Sequence, residues 1–315
     1  MTGVDPQIAR VLARMPAAAR PEMDVIEARR ASRERAQVLR RDVEAVDRVF
    51  DRRVRTRAGD VAVRIYAPAG PSLPLLVFLH GGGWVVGDLD GPDALCRTLA
   101  DRAHCMVVSV DYPLAPEHKF PAALEASYGV VGWVRDAAHE IGADPQRIAV
   151  GGESAGANLA AAIAQVSRDR GGPALCLQLL VTPALDHAFD TASYLENAEG
   201  YGLTRREMMW WWSQYLARDL DGGDPYASPL RATDLRGLPP ALVVTAQFDP
   251  LRDEGREYAC RLRAAGVPVD HRNYESAVHG FLSMASEVDM ARAAVEEIAG
   301  AVREGLAPRS TSAPR

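Results

Sequence analysis

The sequence predicts an α/β fold of the doubly wound kind, with a mostly parallel central sheet of about eight strands flanked by helices. Five short apolar runs carry that expectation: LPLLVFLH (73–80), CMVVSVDY (105–112), RIAVGG (147–152), CLQLLVTP (176–183) and ALVVTAQFDP (241–250). Near-continuous Val, Leu and Ile mark strands buried on both faces of a parallel sheet. The runs alternate with helical patterns of about 12 residues, the spacing of βαβ units. VDHRNY (269–274) is a weaker sixth strand, and an antiparallel pair near the N-terminus completes the sheet. At 315 residues, 48% hydrophobic and 25% charged, the composition is that of a globular protein with a substantial core.

Residues 1–50 read as helical. Ile8, Val11, Leu12 and Met15 recur at i, i+3, i+4, i+7, and after a Pro/Ala break Val43, Val46 and Phe50 continue a similar stripe. From about Arg52 the period changes, and VRTRAGDVAVRIYAP alternates like an antiparallel strand pair around Ala58, Gly59 and Asp60. The basic run Arg52, Arg53, Arg55 and Arg57 reads as the solvated face of an edge strand. The core α/β unit is expected over 51–185 and 236–306, split by an insertion at 186–235.

That insertion is too long for a simple crossover. Within it TRREMMWWWSQYLA opens on Thr204 and Glu207, the spacing of a capping box. Met208, Trp211, Trp212, Tyr215 and Leu216 then fall on one side of a helix. Such a stripe is by default core, but three adjacent tryptophans span more than one helix face. Met208, Trp211 and Trp212 are therefore candidate pocket residues of a helical cap, with the N-terminal helices as its other half. The tail APRSTSAPR (307–315) is expected to be disordered.

Several function classes are disfavoured. A net charge of −6 argues against nucleic acid or an anionic membrane as partner. Cys96, Cys105, Cys176 and Cys260 are widely spaced without a C-x-x-C pair, as expected of buried thiols and not of a metal site. The N-terminus has no uninterrupted apolar h-region and no apolar stretch is long enough to span a bilayer, so a cytoplasmic protein is expected.

The turn GGESAG (151–156) links a strand to an alanine-rich helix. A dinucleotide loop ending on Gly156 requires glycine where Glu153 stands. A Walker loop requires Lys and Ser/Thr where Ala157 and Asn158 follow, and a carboxylate repels phosphate. The remaining register, Gly152-Glu153-Ser154-Ala155-Gly156, is G-x-S-x-G: small residues on each side of a strained turn that raises a serine above the sheet. FLHGGGWVVGD supplies His80, the triplet Gly81–Gly83 and Trp84 at the end of a buried strand, a loop able to bring backbone N–H groups to a substrate oxygen. Asp249 follows the strand ALVVTAQF immediately, and His279 lies in the loop after VDHRNY. His271 reads as a surface strand residue, and Asp253 and Glu254 as acids serving the start of a helix.

Taken together, HGGGW, DYPLAPEHKFPAALEA, GESAG, DPLRDEG and HGF resemble the hormone-sensitive-lipase family of bacterial carboxylesterases, within the α/β-hydrolase fold, over about residues 60 to 285. Pro113 and Lys119 stand where family members usually carry Arg and Pro, and Glu153 where many carry Asp. The resemblance implies a small-molecule ester of short to medium acyl chain as substrate, Ser154 as nucleophile, His279 as base and Asp249 as its partner. It further implies backbone N–H groups of Gly82, Gly83 and Ala155 as oxyanion donors, no metal or organic cofactor, and a possible homodimer through the last strand. Glu153 is expected to accept hydrogen bonds that fix the turn. An amidase, arylformamidase or lactonase using the same triad is the alternative, and a ligand receptor is disfavoured because all three triad positions are filled.

Overall fold

The computed structural model describes residues 3–15, 24–39 and 44–308. Helix α1 (Pro6–Arg14) starts on Pro6 behind Asp5, whose carboxylate accepts the N–H groups of Gln7 and Ile8. Helix α2 (Val25–Leu39) follows. The antiparallel pair is β1 (Arg48–Thr56) and β2 (Gly59–Ala67), in register from Arg48 opposite Ala67 to Thr56 opposite Gly59. The first strand therefore begins earlier than the sequence predicts: Phe50 belongs to β1, Val46 precedes it in irregular chain, and Val43 lies outside the described residues. Over so few residues a helical stripe and a strand's alternation are not distinguishable.

The rest of the chain alternates strand and helix: β3 (Leu73–Leu79), α3 (Asp93–Ala103), β4 (Met106–Asp111), α4 (Ala122–Ile141), β5 (Ala143–Glu153), α5 (Ala155–Asp169) and β6 (Leu177–Val181). The inserted segment holds α6 (Ala192–Glu196) and α7 (Arg205–Tyr215), then two 3-10 turns. The chain closes with β7 (Ala241–Phe248), α8 (Arg252–Ala264), β8 (Val269–Val278) and α9 (Asp289–Gly305). Of the tail expected to be disordered, 309–315 lie outside the described residues.

The sheet order is β1-β2-β4-β3-β5-β6-β7-β8. β2 is antiparallel to both of its neighbours, and all later pairings are parallel. Every residue of β3 and of β6 is buried, which explains their unbroken apolar sequences. β1 is an edge strand that exposes Arg53 and Arg55 and buries only Val54. One face of the sheet packs against α4, α5 and α8 together with Met208, Trp211, Trp212 and Tyr215 of α7. The other packs against α1, α3 and α9. Helix α5, buried from Ala155 to Ser167, lies between the sheet and neighbouring elements, and its alanines permit that close approach.

Parallel strands bring their C-terminal ends to one edge, where open α/β sheets place their ligands. The ends of β3, β5, β7 and β8 lead directly into the loops of Gly81–Gly83, Ser154, Asp249 and His279. Among the described residues no helix is long and apolar enough to cross a membrane.

Candidate active site

Ser154 stands between the last residue of β5 and the first of α5 at φ 56° and ψ −119°. A non-glycine residue there is strained and persists only where its surroundings enforce it. They do so through backbone bonds: Ser154 N–H donates to Val181 O at 2.9 Å and Ser154 O accepts from Asn158 N at 3.0 Å. Packing is equally restrictive. A methyl group on Gly152 meets Leu79 O at 2.5 Å, and one on Gly156 overlaps Leu79 O and lies 2.5 Å from His80 O. The two glycines flanking the serine are thus required by the approach of the β3 end.

His279 bridges the other two polar groups. Its Nε2 lies 3.0 Å from Ser154 Oγ and its Nδ1 2.8 Å from Asp249 Oδ2. Asp249 is fully buried, and its second oxygen, Oδ1, accepts the N–H of Leu251 at 2.8 Å. Burial opposes the imidazolium, but the charge and hydrogen bond of Asp249, with Glu153 and Glu207 behind it, leave the pKa of His279 raised. The expected base is thus in contact with the expected serine on one side and with the expected acid on the other. His271 is half-buried rather than on the surface, with Nε2 2.9 Å from Thr245 Oγ1.

The loop after β3 is shaped by positive backbone angles: φ is 123° at Gly82, 57° at Gly83 and 62° at Trp84. A side chain on Gly82 collides with Val86 O, and one on Gly83 lies 2.5 Å from the Trp211 ring. Val85 and Val86 both donate to Gly82 O, at 3.1 and 3.0 Å, so the loop is a closed turn. His80 is buried beneath it, stacked on Tyr112 with ring centroids 4.2 Å apart, while Tyr112 Oη donates to His80 O at 2.8 Å. Gly81 packs beside Glu153 O and the Ser154 Cβ, which sets the glycine triplet against the serine turn. Ala155 begins α5, so its N–H has no intrahelical acceptor.

Glu153 departs from expectation. Its Oε1 is buried with no hydrogen-bond partner among the described residues, so its carboxylate does not tie the turn as predicted. That oxygen lies beside the segment following His279, 4.0 Å from where a Cβ on Gly280 would sit. Burial pushes its pKa up, with His279 opposing and Asp249 adding to the shift. The turn is held by backbone and glycine packing instead.

Three further expectations need correction. Asp253 and Glu254 lie in the first turn of α8 as expected, but neither caps it: Asp253 Oδ2 accepts Ser193 N at 2.8 Å and its Oδ1 accepts Arg252 Nε at 2.8 Å, and Glu254 Oε2 accepts Leu185 N at 2.5 Å and Asp186 N at 3.2 Å. Trp212 is fully buried, tilted against Trp84 at 4.6 Å, and Met208 is buried in the same layer, so both pack rather than line an open pocket. Trp211 lies against the glycine triplet itself, in the space a Gly83 side chain would need. Cys260 is exposed, unlike the buried Cys96 and Cys105.

Sequence reasoning missed the groups that dock the N-terminal helices and α7. Arg29 of α2 makes a two-pronged ion pair with Glu117 at 2.8 and 2.7 Å and also donates to Val85 O and Ala115 O. Gln7 and Arg14 of α1 bond Asp289 and Glu287. Thr204 and Glu207 form the predicted capping box, and Glu207, buried, sits close enough to His279 for each to shift the other. A cavity of about 490 Å³ opens beside α2, lined by Arg29, Arg33, Asp88, Asp111 and Glu117, and none of Ser154, Asp249 or His279 lines it.

The chain matches a family model described as alpha/beta hydrolase fold over residues 76–283. It is 47% identical over 256 residues to carboxylic ester hydrolase LipN of Mycobacterium tuberculosis, covering 79% of this chain and 68% of LipN. It is 40% identical over 295 residues to esterase LipI of the same organism, covering 91% of each chain. Among solved structures, a hyperthermophilic esterase from Pyrobaculum calidifontis superposes with a TM-score of 0.92 at 39% identity, covering 97% of this chain and all of that one (100%). A thermostable esterase from Pseudomonas putida superposes at 0.94 with 34% identity, covering 98% and 99%.

Proposed function

From the premise that the chain belongs to the hormone-sensitive-lipase family of carboxylesterases, within the α/β-hydrolase fold, we propose that it hydrolyses small esters through an acyl-serine intermediate on Ser154. The observation that carries this reading is the bonding of His279 to Ser154 Oγ on one ring nitrogen and to Asp249 on the other. With the proton on Nδ1 donated to Asp249, Nε2 is left to accept the serine hydroxyl proton.

Ser154 Oγ attacks the ester carbonyl carbon as its proton passes to His279 Nε2. The tetrahedral oxygen, now negative, is met by the N–H groups of Gly82, Gly83 and Ala155. Each such donor is worth about 3 kcal/mol in hydrolases of this kind. His279 returns the proton to the departing alkoxide, the C–O bond breaks, and the alcohol leaves an acyl-serine. Water then attacks the acyl carbon with His279 again as base, releasing the acid and restoring the serine. Throughout, Asp249 stabilises the imidazolium that forms twice per turnover.

A short to medium acyl chain is the substrate that the family resemblance implies, and α7 sets Trp211 against the glycine loop, at the position a Gly83 side chain would need. Ser154→Ala should abolish turnover of p-nitrophenyl butyrate while leaving the melting temperature within a few degrees of wild type. Retention of most activity sinks the assignment. In a panel of p-nitrophenyl esters, anilides and lactones, butyrate should give the highest kcat/KM; a maximum on palmitate or on an anilide refutes the substrate reading.

A further inference from the structure

The last turn of a helix leaves four carbonyls without an intrahelical donor. In α7 all four are bonded, three of them by one dipeptide of the core. Trp212 O accepts Leu216 N at 2.9 Å, and Tyr215 O accepts Phe120 N at 2.8 Å. The Lys119 ammonium donates to Gln214 O at 2.6 Å and Ser213 O at 3.4 Å, and also to Leu216 O at 3.0 Å. Lys119 is the only lysine in the 315-residue sequence, among many arginines. A compact ammonium with three rotatable donors suits three converging carbonyls better than the planar guanidinium fork. Its charge also complements the negative end of the helix.

The same loop grips the glycine turn. Ala115 N–H donates to Trp84 O at 2.8 Å, and Trp84 stacks on Tyr215 of α7 with centroids 4.2 Å apart and planes within 5°. One turn earlier in α7, Trp211 fills the space that a Gly83 side chain would need. The loop from Ala115 to Phe120 therefore holds the end of α7 and the residue after the glycine triplet together.

We propose that Lys119 is a positioning residue: by closing the C-terminus of α7 it keeps Trp211 against Gly83 and so aims the oxyanion N–H groups. This rests on the oxyanion assignment made above. Lys119→Met keeps the apolar stem and removes the donors. It should lower kcat on p-nitrophenyl butyrate about tenfold with KM changed less than about twofold, as expected when donors to a transition-state oxygen are misaimed. Lys119→Arg should recover part of the loss. Affinity for a trifluoromethyl ketone, whose hemiketal adduct with Ser154 Oγ places an oxyanion at the same donors, should fall with kcat/KM. A lowered melting temperature with unchanged kcat, or a raised KM with kcat kept, overturns the proposal. Wild type bound tightly by the ketone and Lys119→Met bound equally well overturns it alone. Wild type not inhibited by the ketone overturns the oxyanion assignment and this proposal with it.

Discussion

Glu153 precedes Ser154 at the end of β5, His279 bonds Ser154, and Glu153 and His279 each shift the pKa of the other. Burial disfavours the imidazolium of His279, while Asp249 first and then Glu153 and Glu207 favour it, leaving its pKa raised. Replacing Glu153 by Gln removes one of those negative charges, so the imidazolium pKa should fall and the free base should persist to lower pH. The acid limb of kcat/KM on p-nitrophenyl butyrate should accordingly move to lower pH in Glu153→Gln. The plateau should drop about tenfold because the transient imidazolium is less stabilised. A limb that stays in place shows that Glu153 is neutral across the working range and plays no electrostatic part. Ser154, Asp249 and His279 are legible in the sequence because each occupies a strand end or the loop after it, in G-x-S-x-G or in the predicted order. The surroundings of Glu153 are not legible, because the Gly280 segment beside its carboxylate comes from a distant part of the chain.

Elements differ in how strictly their glycines are required, and two in contrasting settings make a direct comparison. Gly156, in the first turn of α5, has the backbone oxygens of Leu79 and His80 where a Cβ would be, and backbone cannot yield as a side chain can. Gly156→Ala should cost about 3 kcal/mol or more and deplete the folded enzyme. Gly132, inside α4, has nothing within 4 Å of that position. Gly132→Ala should therefore gain about 0.5–1 kcal/mol by restricting the unfolded chain, read as a rise in Tm of about 1 °C. A third test concerns the junction of α8 with the inserted segment. Glu254, buried while holding Leu185 N and Asp186 N, has its pKa pushed from an ordinary 4.5 up to about 8, chiefly by burial. The native state then binds this proton more tightly than the unfolded chain does. Its contribution is fully present below the ordinary value and is lost as pH rises toward 8. Tm should fall from pH 5 to pH 8 in wild type, and Glu254→Gln should flatten that fall; an unchanged slope shows that Glu254 is already ionised. The strands were foreseeable because buried parallel strands have continuous apolar sequences. The anchors of α2 and α7 were not, because Arg29 with Glu117 and Lys119 with Gln214 are tertiary contacts that leave no periodic trace.

Across the whole molecule, the inserted segment shares its apolar layer with the sheet. Met208, Trp211, Trp212, Tyr215 and Tyr194 belong to the same buried cluster as Leu79, Val150 and Leu159. Two independent straps reinforce that continuity: Arg29 ties α2, and Lys119 ties α7, to the loop between β4 and α4. A chain of this size often unfolds through intermediates, with an attached segment melting first. Here detaching the insertion exposes the apolar side of the sheet as well as its own aromatic face, so no partial step is favourable on its own. Four of the five tryptophans report on that junction, since Trp84, Trp210, Trp211 and Trp212 gather where α7 meets the glycine loop, whereas far-ultraviolet circular dichroism reports on all helices and strands. In urea, tryptophan fluorescence and circular dichroism should therefore trace one coincident transition with the same midpoint. If fluorescence moves at lower urea than circular dichroism, the insertion comes away before the sheet, and its aromatic face binds the core more weakly than their shared burial implies.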